Sequence, residues 1–258
     1  MNSVAFDTTA AALSPHAPPP PPLKLLGMEP LRAAVEYASM RLTRRWAAMP
    51  RGDGHAIVVF PGLAGAARST RPILELCGAL GYDAVDWGLG LNRGPRGNIE
   101  QWLKDLARHV DAMTSRHSSR ISLIGWSLGG LYAREVAKLM PRRVRCVITL
   151  GTPFAGTPEQ TNVGWVYRAL NGQRLSADAA LLARLRTAPT MPTTSIYSRS
   201  DGVVAWQACL NEAQPHLENV EVTGSHCGLG FNASVHAVIA DRLSRHSHRR
   251  AKPPALSA

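Results

Sequence analysis

The sequence is poor in cysteine and has no long apolar run. Its 258 residues include four cysteines, and none of them forms a C-x-x-C pair, so neither a zinc site nor a thioredoxin-like site is indicated. The longest stretch without a polar side chain, residues 56–67, is too short to cross a bilayer and contains Pro61 and two glycines. This sequence therefore predicts neither a transmembrane segment nor a metal site.

The beginning of the sequence lacks the features of a secretory leader. No basic residues precede an apolar segment with a small-residue cleavage site, so we expect a cytoplasmic protein. Residues 1–22 carry almost no charge and end in "PHAPPPPP". This composition is typical of a disordered arm that enters polyproline II.

Acidic residues are scarce relative to basic ones. Lysine and arginine together number 29 against 18 aspartates and glutamates, which gives a formal net charge of +11. Such an excess can attract nucleic acid or an anionic membrane. No aromatic interleaving or nucleic-acid motif accompanies it, so we expect no nucleic-acid partner. We interpret residues 246–258 as a solvated basic tail whose weak attraction to an anionic membrane surface would allow peripheral association. The basic cluster comprises Arg242, Arg245, His246, His248, Arg249, Arg250 and Lys252.

Residues 23–54 are predicted to form an N-terminal helical segment. From Pro30 onward, apolar residues recur at helical spacing, which is typical of an amphipathic helix. These positions are Leu31, Val35, Ala38, Leu42 and Trp46.

Residues 55–245 alternate short β-branched runs with longer helical patterns. The runs "AIVVF", "YDAVDW", "ISLIG", "VRCVITL", "TTSIYS" and "NVEVTG" predict six strands. Strands that are apolar on both faces and alternate with helices predict an α/β fold, with a mostly parallel sheet flanked by helices. Residues 153–190 interrupt this rhythm and predict a small helical cap over the strand ends. Ligands on such sheets bind at the carboxyl ends of the strands.

The motif Gly-Trp-Ser-Leu-Gly at residues 125–129 follows a predicted strand and opens a predicted helix. It matches the G-x-S-x-G pattern of a nucleophile elbow, in which Ser127 adopts a strained turn. Side chains at the flanking positions would collide with the neighbouring strand and helix, which explains Gly125 and Gly129. Over about residues 55–242 the chain resembles the α/β-hydrolase superfamily, and within it bacterial lipases and carboxylesterases.

This resemblance implies an oxyanion hole made by two backbone N–H groups. One would come from Leu128, directly after the serine. The other would come from Leu63, in the loop "FPGLAG" that follows the first strand. The loop resembles the histidine-glycine loop of bacterial lipases, with Pro61 in place of the usual histidine.

The chain order of this fold places the acid and then the base after the serine. His226 lies in "VTGSHCGLG", directly after a strand, and is the predicted base. Asp201 lies in "IYSRSDGVV", just past the preceding strand, and is the predicted acid, with Asp178 and Asp241 as alternatives. The remaining histidines after Ser127 are His216, His236, His246 and His248.

The predicted cap is rich in apolar side chains, which suit acyl chains better than sugars or charged substrates. We therefore expect a serine hydrolase that cleaves carboxylic esters through an acyl-enzyme, without a cofactor, on a small ester or lipid substrate. The alternatives are an acyltransferase or thioesterase on the same triad, or a non-catalytic lipid-binding member of the fold. The cap residues predicted to bind substrate are Phe154, Trp165 and Leu170.

Two of the cysteines lie close to the predicted acid and base. Cys209 is eight residues after Asp201, and Cys227 directly follows His226. If Asp201 reaches His226, a disulfide between Cys209 and Cys227 is geometrically plausible. The alternative is a pair of free thiols, the normal state in a reducing cytoplasm.

Overall fold

The computed structural model describes residues 19–43, 46–156 and 179–247. Most of the predicted arm, most of the predicted basic tail and the central part of the predicted cap lie outside these residues. Within the described part of the chain, no helix combines the length and apolar character that crossing a bilayer requires.

A six-stranded parallel sheet organises the described residues, in the order β2-β1-β3-β4-β5-β6. This confirms the predicted fold class. From β1 the chain moves out to β2 and then returns to β3 on the other side of β1, so the strand order reverses between β1 and β3. Ligands bind at such a reversal point in open α/β sheets. The strands are β1 (Ala56–Phe60), β2 (Asp83–Asp86), β3 (Ile121–Trp126), β4 (Val144–Leu150), β5 (Thr193–Tyr197) and β6 (Leu217–Glu221).

Helices cover both faces of this sheet. Because successive strand residues point to opposite faces, Ile57 and Val59 pack into one buried cluster, while Val58 and Phe60 pack into another. The first cluster includes residues of α2 and α6, and the second includes residues of α3 and α4. The helices are α1 (Leu23–Thr43), α2 (Ala67–Ala79), α3 (Ile99–Met113), α4 (Leu128–Leu139), α5 (Ala179–Arg186) and α6 (Ala233–His246).

Helix α1 differs from the amphipathic helix that its sequence predicts. It begins at Leu23, seven residues before Pro30, which lies inside it. The apolar residues Leu31, Val35 and Leu42 are exposed at 67%, 62% and 86%. The face that meets the body combines polar and apolar residues and includes Glu29 and Met40, each only 2% exposed.

Candidate active site

Ser127 lies at the turn between β3 and α4, with φ 53° and ψ −122°. This is a backbone conformation that residues with a Cβ rarely adopt. The turn is tight, and its glycines lie directly against the backbone of neighbouring segments. A methyl group on Gly125 would overlap the backbone of Gly129 and Gly130, and one on Gly129 would overlap Phe60 O. The geometry is that of a nucleophile elbow, which lifts a serine hydroxyl above the end of a sheet.

The loop after β1 lies directly beside this elbow. Strands β1 and β3 are neighbours, with Phe60 paired to Gly125, so the segments that follow them meet at one edge of the sheet. A methyl group on Gly62 would lie 3.3 Å from Ser127 Cβ. Among the described residues, no acceptor takes a hydrogen bond from the N–H of Leu63 or Leu128.

Asn92 holds the β1 loop in place, and sequence reasoning missed this residue. Its side chain is fully buried, and its Nδ2 donates to Pro61 O at 2.8 Å. Its backbone bonds to the two residues that follow Leu63: Ala64 N donates to Asn92 O, and Asn92 N donates to Gly65 O, both at 2.8 Å. The sequence offers only a glycine-rich stretch, "GLGLNRGPRGN", which marks a loop but does not single out one residue in it.

Asp201 and His226 form a buried pair at the carboxyl ends of β5 and β6. Asp201 Oδ2 lies 2.6 Å from His226 Nδ1, and the two residues are 3% and 6% exposed. The other carboxylate oxygen of Asp201 accepts from the N–H groups of Val203 at 2.8 Å and Val204 at 2.7 Å. These bonds fix the carboxylate, which in turn fixes the orientation of the imidazole.

Opposing effects set the pKa of His226. Burial disfavours the imidazolium and by itself would lower the pKa. The charge of Asp201, its hydrogen bond and the charge of Glu29 act in the other direction and together outweigh burial. The pKa of His226 is therefore raised above its ordinary value, which strengthens the imidazole as a base.

Trp126 brings the histidine loop next to the elbow. Its indole Nε1 donates to His226 O at 3.1 Å, so the residue before Ser127 is bonded to the backbone of His226. Gly151, at φ 54°, lies beneath the acid–base pair, because a methyl group there would sit 3.0 Å from His226 Nδ1 and 3.2 Å from Asp201 Oδ2. In the described structure Ser127 Oγ makes no hydrogen bond, to His226 or to another residue.

The alternative acids and bases are engaged elsewhere. Asp241 bonds to Arg242 and Arg245 on α6. His236 Nε2 bonds to Gly230 O at 3.0 Å, and His216 Nε2 bonds to Pro189 O at 3.1 Å. Asp178 and His248 lie outside the described residues. His246 lies at the end of α6.

Cys209 and Cys227 are free thiols in the structure, which is one of the two states that the sequence leaves open. Cys209 is buried in a cluster with Tyr197, Val203 and Val204, and burial raises its pKa well above the ordinary value. Cys227 is exposed, and its N–H donates to Glu29 Oε2 at 2.8 Å. A hydrogen bond to α1, rather than a bond between sulfurs, therefore secures the segment that carries Cys227.

Of the predicted substrate-binding residues, the structure describes Phe154. Its side chain is 2% exposed and packs under the Arg134 guanidinium, which lies 3.7 Å from the ring centroid. This contact makes Phe154 part of the packed body of the protein. Trp165 and Leu170 lie outside the described residues. The described part of the chain contains no group of three or more potential metal ligands.

The comparison with known families agrees with this geometry. The model of the alpha/beta hydrolase family matches residues 57–255. This chain belongs to that family.

Individual relatives match this chain over shorter stretches. Serine hydrolase BPHL of Mus musculus is 29% identical over 119 residues, which are 43% of this chain and 41% of that protein. A triacylglycerol lipase of Pseudarthrobacter phenanthrenivorans is 39% identical over 84 residues, which are 33% of this chain and 25% of that protein. The chain thus spans less than half of the length of these relatives.

A solved structure shows the same fold. The crystal structure of Aspergillus fumigatus lipase B has a TM-score of 0.55 and 21% sequence identity, and covers 77% of this chain and 55% of that chain. At this identity the likeness concerns the fold alone.

We predict that Gly129→Ala destabilises the protein by about 1–3 kcal/mol, a typical effect of overpacking. The added methyl group would overlap Phe60 O and lie 2.6 Å from Pro61 O, so it would push the β1 loop away from the elbow. Thermal unfolding would show a lowered Tm. Gly78→Ala is the matched control, because Gly78 lies in α2 with nothing within 4 Å of the new methyl group. It should keep or raise the Tm, and an equal loss in both variants would contradict the prediction.

Proposed function

We propose that the protein is a serine hydrolase that cleaves carboxylic esters through an acyl-enzyme. The observation that carries the proposal is the buried Asp201–His226 pair, held at 2.6 Å beside the elbow that presents Ser127. A hydroxyl needs a base to become nucleophilic, and the base needs an acid to orient it. The three residue types also follow one another in the chain order of this fold.

In the proposed first step, Ser127 Oγ attacks the ester carbonyl carbon and loses its proton to His226. Because Nδ1 of His226 faces Asp201, the proton goes to Nε2. The carbonyl π electrons move to oxygen, and the N–H groups of Leu63 and Leu128 stabilise the negative charge. The carbon–oxygen bond to the alcohol then breaks as the alcohol takes the proton from His226 Nε2, which leaves the acyl group on Ser127.

In the second step, water repeats the sequence. The water oxygen attacks the acyl carbonyl carbon while His226 takes a proton from the water. The bond to Ser127 Oγ breaks, and the proton returns from His226 to that oxygen. The products are a carboxylic acid and the regenerated serine, so atoms and charges balance without a cofactor.

Apolar side chains near the site support an ester or lipid with an apolar acyl group as substrate. Leu89 and Leu91 are exposed at 46% and 44%, in the same loop as Asn92, which holds the β1 loop. Exposed apolar residues beside a site favour apolar ligands. The names of two relatives point the same way, since one is a triacylglycerol lipase and the fold neighbour is a lipase.

We predict that Ser127→Ala removes nearly all hydrolysis of p-nitrophenyl butyrate and leaves the Tm within a few degrees of wild type. The substitution removes only the hydroxyl that would carry the acyl group. A fluorophosphonate should label the wild type at Ser127, with the modified peptide located by mass spectrometry. Equal turnover by the two proteins, or a label on a different serine, would refute the nucleophile assignment.

We predict that Asp201→Asn preserves the fold and lowers kcat by about 10⁴, as in other triads in which the acid is replaced by its amide. The amide presents the wrong hydrogen-bonding group to His226 Nδ1, so the imidazole is poorly oriented. Asp241→Asn is the control, because Asp241 is engaged by arginines on α6. A large fall in kcat for Asp241→Asn together with a small fall for Asp201→Asn would contradict the assignment of Asp201 as the acid.

We predict that kcat/KM falls on the acid side with a midpoint above pH 6.5, the ordinary value for histidine. His226 must be neutral to accept a proton, and its raised pKa keeps it protonated, and thus inactive as a base, up to a higher pH. The measurement is the pH dependence of p-nitrophenyl butyrate hydrolysis at constant ionic strength. A midpoint below 6.5 would contradict the role of the buried carboxylates.

A further inference from the structure

Glu29 on α1 bonds to both loops that carry the proposed acid and base. Its Oε1 accepts from the N–H of Gly202 at 2.8 Å and from the N–H of His226 at 3.0 Å. Its Oε2 accepts from the N–H of Cys227 at 2.8 Å. Gly202 directly follows Asp201, so a single carboxylate joins the residue after the acid to the base itself.

Two further residues of α1 contact the same loops. Arg32 donates to Ser200 O at 2.6 Å and to Ser200 Oγ at 2.8 Å, immediately before Asp201. Glu36 accepts from the N–H of Ser225 at 2.7 Å, immediately before His226. Positions 29, 32 and 36 lie on one helix face, so α1 contacts each loop beside its functional residue.

Burial of Glu29 would be costly without these bonds. A carboxylate removed from water needs compensation from opposite charge or from hydrogen-bond donors. Arg32 supplies an opposite charge, since its Nη1 lies 3.9 Å from Glu29 Oε1. Three backbone donors supply the remaining compensation. All three belong to the acid and base loops, so the carboxylate is satisfied only while the two loops keep their mutual position.

We propose that Glu29 is a positioning residue that fixes the loop of Asp201 against the loop of His226. The inference rests on the proposed ester hydrolysis for its kinetic consequences, but its geometric part concerns only the two loops. The acid and the base are carried by segments 25 residues apart, which also bond to each other directly through Ser198 Oγ and Ser200 Oγ to Gly224 O. The Glu29 carboxylate adds a rigid connection next to Asp201 and at His226 itself, which keeps the distance between them short.

The charge of Glu29 adds to this effect. Two carboxylates act on the imidazole, Asp201 from the loop after β5 and Glu29 from α1, and Arg32 Nη1 lies 3.9 Å from Glu29 Oε1. When Ser127 gives up its proton, His226 becomes positively charged in a buried position. A second negative charge behind it favours that state. Loss of the charge should therefore lower the pKa of His226 as well as loosen the loops.

The test compares Glu29→Gln with Glu135→Gln. Glu135 is a matched control, because it is also a buried carboxylate, 1% exposed, but it bonds to Lys138 and Arg184 away from the two loops. We expect Glu29→Gln to lower kcat for p-nitrophenyl butyrate by about 10- to 100-fold, the range for partners that orient a functional ligand. KM should change less than threefold. The acid limb, which is the fall of kcat/KM on the acid side of the pH profile, should move to lower pH. Glu135→Gln should lower the Tm but leave the acid limb unmoved.

A second readout does not depend on activity. Histidine NMR titration of wild type and Glu29→Gln, with the His226 resonance assigned by its loss in His226→Gln, should show a lower pKa for His226 in the variant. If the wild type hydrolyses no ester but this shift occurs, the proposed function fails and the effect of the Glu29 charge on His226 stands. If Glu29→Gln is folded, and its kcat, acid limb and His226 pKa all match wild type, the positioning role is overturned.

Glu29→Asp covers the case in which Glu29→Gln does not fold. The shorter side chain keeps the charge but cannot reach both loops at once. We expect a lowered kcat with the acid limb close to that of wild type. An unchanged kcat in Glu29→Asp would overturn the proposed connection between the loops.

Discussion

The strained backbone of Ser127 is the constraint on which the proposed site depends. A residue with a Cβ at φ 53° carries a conformational cost of about 1–3 kcal/mol. The surrounding structure holds it there through both of its peptide groups. Ser127 N donates to Leu150 O at 2.8 Å, and Ser127 O accepts from Gly130 N at 2.9 Å and Thr152 Oγ1 at 3.0 Å. Strand β4 and helix α4 thus both maintain the turn, and Ser127 stays half-buried at the end of the sheet.

The two buried carboxylates of the site are held in the same manner, by backbone donors. Asp201 accepts from Val203 and Val204, and Glu29 accepts from Gly202, His226 and Cys227. Charge-assisted bonds to N–H groups are strong and fix the position of an oxygen. The donors act through their backbone, so these bonds by themselves demand no particular side chain at the donor positions.

This difference explains what could be predicted from the sequence. The six strands and the elbow were predictable, because β-branched runs and G-x-S-x-G are local patterns with a direct structural meaning. Glu29 and Asn92 were not, because each acts on backbone that is distant in sequence or that belongs to an unspecific glycine-rich loop. In α1, the spacing of Leu31 and Val35 showed which residues share a face, but periodicity does not tell which face meets the body. The inward face is decided by the donors of the two loops, which only the folded chain brings to Glu29.

The contacts of α1 show that the segment that orders the site begins before the stretch that the family model matches. The stretch that the family model matches begins at residue 57, and it contains Ser127, Asp201 and His226. The side chains that bind behind the acid and base loops come from Leu23–Thr43, before that stretch. A fragment cut at the start of the recognisable family would keep every residue of the proposed triad. It would remove the α1 partners of four backbone N–H groups, one carbonyl and one hydroxyl in the acid and base loops. For this chain, the unit defined by family resemblance is shorter than the unit that orders the site.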